Sequence, residues 1–395
     1  VGSSANAFTY TLNSNTKADN YTITKVEGTL KVTELTDKVT VTITEHSSKE
    51  TYDGKEKTVT GYDVENSNPL YTEADFTFSG NATVKGTDAG TYNMELKASD
   101  FTNNSKNFSN VEFVIVDGTL TISKRPVTLT SATDSKVYDG TALTNDEVTA
   151  GGDGFADGEG ASYDVTGTIT EVGETANAFT YILNEGTKAD NYEITKVDGT
   201  LTVTEMTAKV TVTITENSGS YMYDGAEHTA TGYEVTNISN DLYKTGDFTF
   251  SGNATVKGTD AGTYNMELKA SDFTNNSKNF SNVEFVIVDG TLTISKRPVT
   301  LTSATDSKVY DGTALTNDEV TAGGDGFADG EGASYDVTGT QTAVGSSANA
   351  FTYILNEGTN DGNYIIEKVY GTLTILKPSK VQVTITEHGS VETYN

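Results

Sequence analysis

Four Tyr-Asp-Gly triplets, beginning at Tyr52, Tyr138, Tyr223 and Tyr310, set a phenol beside a carboxylate at almost even spacing along the chain. A cut-short copy, Tyr394-Asn395, keeps the rhythm at the end. A recurring Tyr and Asp could hold a sugar or a cation. Asp-Gly between extended runs is first of all a turn signal, because Gly accepts the left-handed conformation and Asp bonds its own backbone. We therefore read the triplets as fold punctuation, with each Tyr ring buried and its hydroxyl satisfied locally. The acidic loop GGDGFADGEG at 151–160, repeated at 323–332, offers Asp153, Asp157 and Glu159 as oxygen donors for calcium. Their spacing fits neither the EF-hand nor the repeat-in-toxin pattern, so a solvated loop is the preferred reading and no metal is assigned.

Catalytic chemistry finds no constellation. His46 aligns with Asn217 and His388, and His228 aligns with Lys57, so no His holds one place in every copy of its unit. A Ser-His-Asp arrangement needs all three groups in one concave site, and nothing in the sequence places them together. Lys38 and Lys209 could open a Lys to Asn crosslink, but the closing VDGTLTIS run offers no Asn. The expectation is no catalytic residue, no cofactor and no enzyme activity. For recognition the best candidate is the loop ASDFTNNSKNFSN at 98–110, if it exposes Phe101 and Phe108. Packing of both rings under the loop is the preferred alternative.

The elements that must position these residues are strands. The 395 residues carry 56 Asp plus Glu against 26 Lys plus Arg, a net charge of -30, with no Cys and no Trp. Phosphate backbones are bound by Lys and Arg, and the only arginines are Arg125 and Arg297, so nucleic acid and anionic membrane faces are excluded as expected partners. Without Cys there is no disulfide framework and no thiolate chemistry. We find neither an apolar run long enough to span a membrane nor a signal peptide. Alternation in KVTVTITE, TYNMELK, AFTYILN and GTLTIS predicts strands with one wet face. The continuous run Val111 to Val116 predicts a central strand covered on both sides.

Repeats organise the whole chain. Residues 75–168 recur unchanged as 247–340, and that offset is the long period of the array. Each period holds two unit types. We divide the chain into a partial B repeat at 1–37, an A repeat at 38–124, a B repeat at 125–208, an A repeat at 209–296, a B repeat at 297–379 and the start of a further A repeat at 380–395. About seven short strands per unit predict an all-β array of small Ig-like β-sandwiches, with β-grasp-like units as the alternative. Pro126, Pro298 and Pro378 sit at unit junctions and should stiffen them, whereas the stretch around Thr204 to Lys209 lacks Pro and should flex more. Such an array would form an elongated rod of roughly 140 Å. B is the more acidic type, with 15 acids and 4 bases over 125–208 against 13 and 8 over 38–124.

The combination of KVYDGTALT, NYEITKVDGTLTV and the regular unit length resembles the YDG and MBG repeats of large bacterial surface proteins. The resemblance covers essentially the whole chain, most clearly in B, at Lys136 to Thr141 and Asn191 to Leu201. In A the triplet remains, but the longer NNSKNFSNVEF replaces the Asn-Tyr approach to the last strand. The resemblance implies an extracellular, bacterial cell-surface location and the role of stalk or filament repeats in an adhesin, with neighbouring repeats of the same chain as the main partners. A multivalent binder of host glycans or matrix proteins is the second reading, since repetition raises avidity.

Overall fold

The computed structural model describes residues 1–393, so the Tyr394-Asn395 copy of the triplet lies outside the described residues. The fold is all-β and built from tandem repeats. Among the described residues there is no α-helix, only seven three-residue 3-10 turns. None of these, Glu73–Asp75 included, supplies the helix that the alternative β-grasp reading needs. Two compact units are distinguished, Val1–Thr204 and the residues from Glu205 on.

The stretch 38–124 contains two three-stranded sheets. In one, the opening strand Val39–Glu45 lies between Val111–Val116, which runs parallel to it, and Tyr62–Asn66, which runs antiparallel. In the other, Thr119–Ser123 lies between Ser48–Thr51, parallel, and Gly90–Asn93, antiparallel. Two further pairs, Lys57–Thr60 with Thr83–Gly86 and Phe76–Phe78 with Phe101–Asn103, complete it. The stretch 125–204 repeats the plan. Arg125–Ser131 lies between Val148–Gly152 and Tyr192–Val197, and Gly199–Thr204 lies between Asp134–Val137 and Gly173–Asn177. Ala161–Val165 pairs with Phe179–Leu183. The second unit carries the same pairings, for example Val210–Glu216 parallel to Val283–Val288 and Arg297–Ser303 parallel to Tyr364–Val369.

The expected seven strands become ten in 38–124 and eight in 125–204, because several are only three or four residues long. Alternation fixes the core: Val39, Val41, Ile43, Leu120 and Ile122 are buried from one side of their strands. Each such side chain contributes about 1.5–3 kcal/mol. An aromatic cluster fills the rest of the A repeat, with Phe101 packed 4.9 Å from Phe78 and 5.3 Å from Tyr62, ring centre to ring centre.

Two expectations are corrected. Val111–Val116 is an edge strand, not a central one, and Val114 and Val116 are 39% and 45% exposed. Valine stands on both its faces, which hid the alternation. TYNMELK does not stay a strand to its end. Pairing stops at Asn93 because Glu95 takes a left-handed φ of 67°, and Glu267 does the same at 64°.

The repeated Gly-Thr-Leu run also finds its cause. A Cβ on Gly118 would stand 2.4 Å from the His46 carbonyl oxygen, and one on Gly199 would stand 2.3 Å from that of Ala132. Two backbones pass too close there for any side chain.

Candidate functional site at the A to B joint

Tyr52 opens the first triplet and its ring is buried. Its turn is as expected: Gly54 has φ 79°, and Asp53 Oδ1 accepts a bond from the Lys55 amide at 3.0 Å. Its hydroxyl is not satisfied locally. It donates to Glu159 Oε1 at 2.5 Å, in the acidic loop of the following B repeat. Tyr192, which starts the strand Tyr192–Val197, donates its hydroxyl to Glu159 Oε2 at 2.9 Å. The two rings meet edge to face at 5.5 Å. Burial and the Glu159 carboxylate push the Tyr52 phenol up to about 12.

Arg125 adds the second half of the joint. Only Lys124 separates the strand Thr119–Ser123 from Arg125–Ser131. Its guanidinium donates to the backbone oxygens of Gly154 at 2.8 Å, Asp153 at 2.5 Å and Tyr52 at 3.3 Å, so one planar fork holds the acidic loop and the triplet turn together. A third contact lies alongside. Asp88 accepts from Asn191 Nδ2 at 2.9 Å and Lys188 Nζ at 2.8 Å, and the Ala89 amide donates to Asn191 Oδ1 at 2.8 Å. Lys188 and Asn191 hold Asp88 below the usual carboxylate range. Beneath these polar groups one apolar cluster runs on from Val41 and Leu120 through Tyr52 to Ala156, Val127 and Tyr192.

The second unit rebuilds the joint. Tyr223 and Tyr364 donate to Glu331 at 2.5 and 2.9 Å, and Arg297 reaches Gly326, Asp325 and Tyr223 oxygens at 2.8, 2.6 and 3.3 Å. Asn363 bonds Asp260 at 2.9 Å. Only the ion pair drops out, since Asn360 stands where the first copy has Lys188 and instead caps its own turn at Gly362.

The calcium trio is thereby dispersed. Both Glu159 oxygens are bonded to tyrosine hydroxyls, and Asp153 contributes its backbone oxygen to Arg125. Among the described residues no group of three or more His, Cys, Asp or Glu could hold a metal ion. The loop 98–110 exposes neither ring, which is the packing preferred from the sequence. Phe101 and Phe108 are 5% and 6% exposed, and the loop binds its own chain, with the Leu35 amide donating to Asn107 O at 2.7 Å. In the second unit the Met206 amide does the same to Asn279 O at 2.8 Å.

His46 and His228 make structural bonds. His46 Nδ1 lies 2.8 Å from Thr60 O, and Asn217 makes the matching bond to Thr231 O at 2.9 Å, which is why the two residues exchange. His228 stacks on Tyr221 at 4.1 Å and bonds Asp224 at 2.9 Å, taking the place of the Lys57 to Asp53 pair in the first copy. Lys38 and Lys209 form surface ion pairs with Glu112 and Glu284. In B the Lys of the triplet motif grips its own turn: Lys136 Nζ bonds Asp139 at 2.8 Å and Thr141 O at 2.7 Å.

Pro126 is not part of a linker either. It is the second residue of a strand, and its carbonyl accepts from the Asp153 amide at 3.0 Å. Sequence reasoning missed Arg125, Glu159, Asn191 and Asp88 as joint residues. The signal was the pair of arginines, each just before a proline, in a chain with no others.

Residues 38–124 and 209–296 match the MBG domain family, so the resemblance to MBG- and YDG-type tandem repeats stands, carried here by the A repeats. No curated protein matches the chain closely enough to count as a relative. Among solved structures, similar chains include the N-terminal eight Ig domains of Down Syndrome Cell Adhesion Molecule, at 10% identity over 86% of this chain and 54% of that one, TM-score 0.14. Extracellular domains 3–5 of Drosophila OTK give 10% identity over 65% of this chain and 100% of that one, TM-score 0.14. The Bacillus anthracis TIE protein gives 10% identity over 82% of this chain and 73% of that one, TM-score 0.17. Among the described residues no helix is long and apolar enough to cross a membrane.

Proposed function

We propose that the chain is a structural repeat region of an extracellular protein, a stalk that spaces a binding tip from a bacterial surface. The observation that carries this reading is the joint: a phenol, a carboxylate and an arginine fork tie A to B in both copies, over a shared apolar core in the first. A module that ties each A repeat to the B repeat after it suits spacing better than catalysis. The match of the A repeats to the MBG domain supports a repeat-containing, non-catalytic module.

A second reading, a multivalent binder, is favoured by one feature. A shallow recess of about 190 Å³ beside Asp164 and the 78% exposed Ile182 recurs beside Asp336 and Ile354. Its volume falls below the roughly 300–1,000 Å³ of ordinary ligand pockets, so we rank it second. Small-angle scattering together with a glycan and matrix-protein binding panel tests both. An extended particle with no saturable binding is expected. A compact particle, or saturable binding abolished by Ile182→Asp with Ile354→Asp, overturns the stalk reading.

A further inference from the structure

We propose that each repeat is a force-bearing clamp, loaded in shear when the chain is pulled by its ends. The purpose of such a clamp rests on the stalk reading, but its geometry does not. In the first A repeat the opening strand pairs in parallel from Val39 with Val111 to Thr44 with Val116. Beyond a kink, pairing resumes from Ser48 with Leu120 to Thr51 with Ser123. The sequence separation of the partners is the same on both sides of the kink, so the register carries over from the ladder of one sheet to that of the other without slipping. The following B repeat also keeps a single separation throughout, from Arg125 with Tyr192 to Val137 with Thr204. In the second unit the register is equally constant, from Val210 with Val283 to Met222 with Ser295 and from Arg297 with Tyr364 to Val309 with Leu376.

Parallel pairing has a mechanical consequence. The chain arrives at the end of the ladder where Val39 meets Val111 and departs from the opposite end, past Ser123. Tension on the two termini draws the strands past one another along their own direction. Every rung is loaded at once, whereas a pair pulled from one end opens rung by rung. The load then crosses a single residue, Lys124, into the next ladder at Arg125, and in the second unit Lys296 plays that part.

The kink is where each ladder is interrupted, and there a buried side chain pins it. Glu45, 3% exposed, accepts from the Gly118 amide with Oε2 and from the Leu96 amide with Oε1, both at 2.7 Å. In B the same place is held by Ser131, whose hydroxyl accepts from the Gly199 amide at 2.9 Å and donates to Asn177 O at 2.6 Å. Glu216 and Ser303 repeat the two arrangements. Two different chemistries thus serve one position, a cross-tie between the opening and closing strands.

The test is single-molecule pulling of the whole chain in two directions. Because the chain contains no Cys, unique handles can be introduced anywhere. Pulled by its ends, it should unfold one repeat at a time, each event adding roughly 250 Å as the residues of that repeat become extended. Pulled through Lys38→Cys with Asn110→Cys, both at one end of the first ladder, that repeat should open at a several-fold lower force. Equal forces in the two directions overturn the clamp. A urea midpoint equal to that of the unmodified chain assigns the difference to direction, since forced unfolding reports the unfolding barrier. If that pair destabilises the repeat, Asp37→Cys with Ser109→Cys gives the same comparison. Ligand binding or a compact scattering profile would sink the stalk reading and leave the force ratio untouched.

Discussion

The Tyr52 hydroxyl and the Glu159 carboxylate, far apart in sequence and in different repeats, are 2.5 Å apart in space. Removing the hydroxyl with Tyr52→Phe leaves a partly buried carboxylate short of a donor, at a cost of about 1–3 kcal/mol. Tyr52→Phe, Glu159→Gln and the double variant form a cycle in urea unfolding. A coupling of about 0.5–3 kcal/mol is expected, and additivity would contradict a direct bond.

The same pair sets an alkaline limit. Burial and Glu159 raise the Tyr52 phenol from 10.0 to about 12, and Tyr223 beside Glu331 behaves alike. A folded value above the unfolded one means that the stabilisation is complete below the unfolded value of 10.0 and is lost as pH rises toward about 12. Melting temperature should fall across that window, and less steeply in the Tyr52→Phe, Tyr223→Phe variant.

Arg125→Lys should not be conservative. Lysine carries charge but no planar fork, and three backbone oxygens lose their shared donor. A loss of about 2–3 kcal/mol is expected for the charged bonds, with faster hydrogen exchange confined to residues 151–160. Unchanged exchange there would remove Arg125 from the joint.

His46 gives one repeat a pH response that its copy lacks. The Asp63 hydrogen bond, then the Thr60 carbonyl, raise its imidazole above the ordinary 6.5. This contribution is present below 6.5 and is lost as pH rises through the raised value. His46→Asn should abolish the response in melting curves taken across that range, as Asn217 already does in the second A repeat.

Gly118→Ala should be severe, since the new Cβ would meet backbone oxygens at 2.4 and 2.6 Å that cannot rotate away. A loss above about 3 kcal/mol is expected by circular dichroism melting. Glu95→Gly should do the reverse, relieving a left-handed backbone that costs about 1–2 kcal/mol.

The repeats and the strand class were legible because Val39, Val41 and Ile43 alternate and the triplets recur at even spacing. Asp-Gly turns were legible because their chemistry is local. What stayed hidden acts across distance. Nothing in the sequence around Tyr52 points to a carboxylate in the next repeat, and Glu159 looks like a solvated acid until the loop folds over the triplet turn. Burial of Phe108 was the preferred reading, but not its means: the surrounding Asn and Ser bond the backbone that covers it, as Asn103 Nδ2 does to Phe108 O at 2.8 Å. Glu95 breaks its strand through φ alone, which residue type did not announce.

The shared apolar cluster between A and B also bears on how such an array changes length. The unchanged stretch 75–168 begins inside an A repeat and ends inside a B repeat, so it carries Arg125 and Glu159 across the joint intact. Unequal crossing-over between its two copies would insert or delete one A-B pair and leave each A-repeat triplet tyrosine opposite an equivalent carboxylate in the next B repeat. Gene variants from different isolates should therefore differ in length by whole A-B pairs, with half-steps rejected because they would leave Tyr52-type phenols and Glu159-type acids without each other.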